Sequence, residues 1–144
     1  MPNKHTPTSE DIGNQLRFMG KAIKEFYLTK SDFLLIYIYV LLIELVMSKL
    51  AFENKTQANV YFMKNKFGSN FTRKAYDLRN GFVHNTEQYY DGADAIKSFL
   101  SIGYNNLQRL EAYAFGEDIG FFTDVVTMCG YDCEDTNIDW DVTT

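Results

Sequence analysis

Cysteine is scarce in this chain: Cys129 and Cys133 are the only two, spaced i and i+4. A disulfide framework needs more of them, and a structural zinc site needs four ligands, which two thiols without a nearby His do not supply. Glycine-rich phosphate cradles are absent, as is the Gly-x-Ser-x-Gly turn that presents a nucleophilic serine, so the sequence offers no basis for those hydrolase types. Asp135, Asn137, Asp139 and Asp141 begin like a calcium loop, but Trp140 stands where Gly is required and no Glu ligand follows. No metal and no cofactor is expected. There is no internal repeat and no low-complexity tract. No small-residue cleavage site follows the polar N-terminus, so a cytoplasmic, reducing setting is the expectation.

Long hydrophobic runs are also missing. The longest uncharged apolar stretch, Phe33 to Ile43, covers 11 residues before Glu44, against the roughly 18 or more that a spanning helix needs. The run therefore reads as a core helix and no membrane association is expected. Its β-branched and Tyr residues would also suit a buried strand over 35–43, but such a strand has no partner elsewhere in the sequence.

What the chain does have is apolar substance: 46% of its 144 residues are hydrophobic and 16% aromatic, enough for one globular domain with a proper core. Charge is segregated. All 14 Lys and Arg lie within residues 1–116 beside 11 acids, whereas 117–144 holds eight acids and no base. The net charge of −5 thus conceals a basic body and an acidic tail. Between Lys55 and Arg79, six bases (Lys55, Lys64, Lys66, Arg73, Lys74, Arg79) face a single acid, Asp77. Such a segment either attracts phosphates or forms a solvated face balancing acids elsewhere in the fold.

The periodicity predicts helices. Thr8 and Asp11 resemble a capping box, and Ile12, Leu16, Met19, Ile23 and Phe26 make one stripe of a first helix ending near Leu28. Ser31-Asp32 offers a cap for a second helix reaching about Leu50. A loop and a short helix fill 54–67, followed by a break at Gly68-Ser69-Asn70. Asn70 is a candidate cap for a third long helix with Phe71, Ala75, Leu78 and Phe82 on its core face. After a turn over 85–91, Asp91 and Asp94 start a fourth long helix, with Ile96, Leu100, Gly103, Leu107, Leu110 and Ala114 on its stripe and Gly116 as its stop. The expected fold is all-α, an antiparallel bundle of four main helices plus short extra helices. Residues 1–8 form a flexible N-terminus, 9–116 the bundle and 117–144 an acidic extension.

The third long helix carries Arg79-Asn80-Gly81-Phe82-Val83-His84. A permanently charged guanidinium, a polar residue and an imidazole five positions on resemble the Arg-x(4–6)-His signature of the HEPN superfamily, and the resemblance covers roughly residues 9–116. It implies a small helical bundle that works as a homodimer. It also implies an endoribonuclease, of the kind found in toxin–antitoxin, abortive-infection and CRISPR-associated systems. A cognate antitoxin or other regulatory protein is then an expected partner. The alternative within the same resemblance is a noncatalytic module for dimerisation or scaffolding.

The implied chemistry is attack of an RNA 2′-hydroxyl on the adjacent phosphorus, leaving a 2′,3′-cyclic phosphate and a 5′-hydroxyl. An imidazole exchanges protons near neutrality, so His84 is the expected general acid/base. Arg79 supplies fixed positive donors to the phosphoryl oxygens. Asn80 orients the phosphate or holds the His tautomer, while Lys64, Lys66, Arg73 and Lys74 track the RNA backbone. Glu44, a charge in an apolar run, either lines the same cleft or makes a structural hydrogen bond.

On an ideal helix Arg79 and His84 lie about 140° apart. They converge only if Gly81 loosens the turn, if His84 falls beyond the helix, if Arg79 reaches around, or if a two-fold interface sets two motif helices face to face, as the resemblance implies. Toxins of the nucleotidyltransferase-paired subgroup carry His-x-Tyr, whereas Asn85 and Thr86 follow His84 here. Tyrosine modification is therefore not an expected control. The acidic end with Asp-Trp-Asp at 139–141 is either a solubilising disordered tail or one that competes with RNA for the basic segment.

Overall fold

The computed structural model describes residues 6–29, 31–56, 60–89 and 104–116, and every regular element among them is helical. They are α1 (Ser9–Thr29), α2 (Asp32–Glu53), α3 (Val60–Phe67), α4 (Ser69–His84), a 3-10 turn (Thr86–Tyr89) and α5 (Tyr104–Phe115). The all-α expectation holds for these residues. The predicted helix start at Asp91 and Asp94, residues 1–5 of the N-terminal segment and the acidic extension lie outside the described residues, as do Cys129, Cys133 and the aspartates of 135–141.

Local chemistry accounts for the helix ends. Thr8 N–H donates to Asp11 Oδ2 at 2.9 Å and Asp11 N–H to Thr8 Oγ1 at 3.1 Å, a reciprocal box at the start of α1. Ser31 Oγ accepts from Leu34 N–H at 3.2 Å and caps α2. The start of α4 corrects one expectation: Gly68, not Asn70, occupies the cap, and no side chain bonds there. Its φ of 92° is open to glycine alone at little cost, which lets α4 follow α3 across one intervening residue and leaves Asn70 inside the helix. Gly116, at φ 80°, ends α5 with a positive φ of the same kind.

α2 is the centre of the bundle, packed on α1, α3, α4 and α5. Leu35, Ile36, Ile38, Tyr39, Leu42, Ile43, Leu45 and Val46 cover about half the circumference of the helix, and all are buried. By length and composition α2 could cross a membrane, but 61% of its apolar window is already covered by the protein's own helices. Its remaining face, with Tyr37, Leu41, Glu44 and Ser48, is half-buried, so a central helix packed by four neighbours is nearly as apolar as a spanning one. The predicted stripes also bury. Ile12, Met19 and Phe26 of α1 and Phe71, Ala75, Leu78 and Phe82 of α4 all enter one core with α2. Tyr37 meets Phe82 edge to face at 5.8 Å, and further along α2 Glu44 meets Arg79, so α2 and α4 run antiparallel.

The far end of α2 holds α5. Lys49 Nζ donates to the carbonyls of Tyr113 at 2.7 Å and Ala114 at 3.3 Å, supplying a cation to the last carbonyls of that helix. The Tyr113 hydroxyl donates to Glu53. Burial, then the Glu53 carboxylate as acceptor and as neighbouring negative charge, pushes Tyr113 well above the ordinary tyrosine range. Because the folded value is the higher one, the contribution to stability is complete below about pH 10, the unfolded value. It declines as pH climbs above that, where only the unfolded chain gives up the proton. Urea titrations at about pH 9 and about pH 11 should therefore show the wild-type advantage over Tyr113→Phe shrinking at the higher pH. An unchanged difference would mean that the Tyr113 hydroxyl is neither buried nor bonded to Glu53 in solution.

Candidate functional site

α4 is amphipathic, and the residues singled out by sequence lie off its core stripe. With 100° per residue, Arg73, Asp77, Asn80 and His84 fall within a sector of about 60° opposite Phe71, Ala75, Leu78 and Phe82. Arg79 sits on the flank between that sector and the core, which is how it reaches α2. Its Nε donates to Glu44 Oε1, and its Nη1 donates to Asn80 Oδ1 at 3.0 Å. The guanidinium also lies over the Tyr76 ring, 5.5 Å from its centroid.

Glu44 is thereby explained. A carboxylate in the middle of an apolar helix is tolerable because an arginine from α4 meets it at the edge of the core, where both side chains keep about a third of their exposure. Of the two readings offered for Glu44, the structural bond is the one formed, and its partner is the arginine of the motif. The pair also sets the guanidinium's orientation. Of the five N–H donors an arginine carries, one serves Glu44 and one Asn80; the other three have no acceptor among the described residues. Those three are available to a phosphate.

His84 is the last residue of α4 and is exposed, and its side chain has no hydrogen-bond partner among the described residues. The helix runs unbroken through Gly81, and Asn85 N–H closes its end on Gly81 O at 2.8 Å. Loosening at Gly81 and a position beyond the helix end, two of the routes to convergence, are therefore not taken. Neither does Arg79 reach around, since its side chain turns to Glu44. Within one chain the guanidinium and the imidazole stay about 140° apart. Val83, beside His84, is 54% exposed, an apolar residue uncovered on the motif helix.

The basic residues divide. Lys64 and Arg73 line one cleft of about 370 Å³ between α3 and α4, together with Val60, Ser69, Asn70, Tyr76 and Asp77. Lys66 turns the other way, its Nζ 4.5 Å from the centroid of the Tyr113 ring on α5. Lys74 is exposed on α4 outside the cleft lining. Tyr76 is the residue that sequence reasoning misses. It borders both the cleft and Arg79, and its position three before the arginine is a legible signal, because residues i and i+3 are neighbours on a helix. Among the described residues no group of three His, Cys, Asp or Glu is placed to hold a metal ion. Comparisons with protein-family models, with curated proteins and with solved structures find no match for this chain.

Proposed function

We propose that the protein is a metal-independent endoribonuclease of HEPN type that acts as a homodimer in the cytoplasm, as a toxin or an antiviral effector held in check by a partner. The observation that carries this is the state of Arg79: clamped by Glu44 and Asn80, yet with three donors that have no acceptor among the described residues, on the same helix as an exposed His84. A pre-aimed guanidinium of this kind stabilises charge developing on a phosphoryl group, because it needs no reorganisation when the charge appears. The 2′-hydroxyl is the nucleophile and His84 handles its proton or that of the leaving 5′-oxygen.

The 140° separation makes the dimer part of the proposal. Two α4 helices meeting about a two-fold axis put the imidazole of one chain near the guanidinium of the other, and the exposed Val83 supplies apolar contact beside them. Purified protein incubated with mixed RNA in EDTA should yield 2′,3′-cyclic phosphate and 5′-hydroxyl ends. A 2′-deoxy substitution at the scissile nucleotide should stop cleavage there, and continued cutting at that position would exclude this chemistry.

The Arg79–Glu44 pair also favours a second reading. An arginine tied to a neighbouring helix and an adjacent aromatic ring is what a noncatalytic dimerisation module would use to fix α4 against α2. In that case no RNA is cut and sedimentation still gives a dimer.

A further inference from the structure

The cleft between α3 and α4 lies toward the start of the motif helix, away from His84 at its end, and has three properties that bear on what it holds. Lys64 and Arg73 approach it from different helices, both exposed, and neither forms an ion pair among the described residues. Arg73 stands four residues before Asp77, where a pair could form and does not. Gly68, as the cap of α4, brings no side-chain oxygen to the N-terminal end of the helix at the rim of the cleft, where the helix dipole favours negative charge. Tyr76 forms one wall and is half-buried, and the guanidinium of Arg79 lies against the same ring.

We propose that this cleft binds one nucleotide of single-stranded RNA next to the scissile linkage, with its phosphate between Lys64 and Arg73 and its base against Tyr76. The proposal deepens the nuclease reading and rests on it for the identity of the substrate. Asp77 decides between a nucleotide and a bare anion. A free phosphate in the cleft would meet that carboxylate and be repelled by it, whereas a nucleotide presents sugar hydroxyl or base N–H donors that a carboxylate accepts. Tyr76 decides between single strand and duplex, because only an unstacked base has a face to offer a tyrosine. From Arg73 to Arg79 the helix rises about 9 Å, so a strand seated in the cleft continues along α4 toward Arg79.

The test measures fluorescence anisotropy of a labelled mixed-sequence single-stranded RNA against the full chain carrying His84→Ala, so that binding is read without cleavage, over a range of salt concentrations. Adding Lys64→Ala and Arg73→Ala, both at exposed positions, should lower the salt slope by about 0.7 for each phosphate no longer neutralised. Tyr76→Ala should weaken binding roughly 5- to 100-fold while Tyr76→Phe retains it, because stacking needs the ring and not the hydroxyl. Adenosine monophosphate should compete better than inorganic phosphate. Unchanged salt slope and affinity in the double variant, or inorganic phosphate competing as well as the nucleotide, would overturn the assignment. Cleavage by the otherwise wild-type chain separates this from the nuclease reading. Cyclic-phosphate ends formed equally well without Lys64, Arg73 and the Tyr76 ring would sink the cleft alone. RNA binding with the expected dependences but no cyclic-phosphate ends would sink the nuclease and leave the cleft standing.

Discussion

His84→Ala is expected to lower the rate of cyclic-phosphate formation by about 10²- to 10⁴-fold, the range for loss of a general acid/base, while leaving the melting temperature where it was. The second half follows from the structure: His84 is exposed at the last position of α4 and has no side-chain partner among the described residues, so its removal falls among surface changes of about ±0.5 kcal/mol. Arg79→Ala is a less clean experiment. It removes donors worth about 10²- to 10³-fold in transition-state stabilisation, but it also strands Glu44 against the core. With both side chains about a third exposed, solvent screens the pair, and the cost in stability should be about 1 kcal/mol, between a surface pair and a buried one. Arg79→Lys separates the two effects. An ammonium keeps the charge but cannot serve Glu44, Asn80 and a phosphate in one plane, so folding should survive and cleavage should not. Glu44→Gln leaves the guanidinium charged but less firmly aimed, and an intermediate loss of rate is expected. If His84→Ala cleaved at the wild-type rate with the same ends, the imidazole would have no part in the reaction and another group would have to carry the proton.

The parts of this molecule legible in its sequence are those set by neighbours along the chain. Thr8 and Asp11 cap α1 as expected because both partners lie within one turn, and the stripe Phe71, Ala75, Leu78, Phe82 buries because helical periodicity leaves it no other face. Lys64 and Lys66, expected to track one backbone together, diverge for a reason the same periodicity contains: two positions on a helix differ by about 200° and cannot line one groove. Asn70 misleads because its preference for caps is real, and the positive φ at Gly68 that pre-empts it depends on how α3 turns into α4. The Arg79–Glu44 pair cannot be read from sequence at all. Its partners are 35 positions apart, and only Glu44's misfit in an apolar run hints that α2 has a charged neighbour. The same limit applies to the cleft, which exists because α3 and α4 fold against each other across a single glycine.

That junction is where the largest loss of stability is expected. Phe71 is fully buried at the start of α4, and its ring stands 5.5 Å from that of Phe67, the last residue of α3. Phe71→Ala should cost about 3–5 kcal/mol, transfer energy plus the cavity left behind. That is a third or more of the stability of an ordinary domain, equivalent to a fall of about 10–15 °C in melting temperature at this size. The cost should be high in that range because α3 has only eight residues and cannot hold its shape without the contact. Phe71→Leu refills most of the volume and should cost less than half as much. The functional consequence separates packing from charge. Phe71→Leu keeps Lys64 and Arg73 on the chain but loosens the wall that sets their spacing, so RNA affinity should fall while the salt slope stays near the wild-type value. In Lys64→Ala/Arg73→Ala both should change. Equal affinity in Phe71→Leu and wild type would mean that the two cations attract RNA as independent surface charges and that the geometry of the α3–α4 junction contributes nothing to recognition.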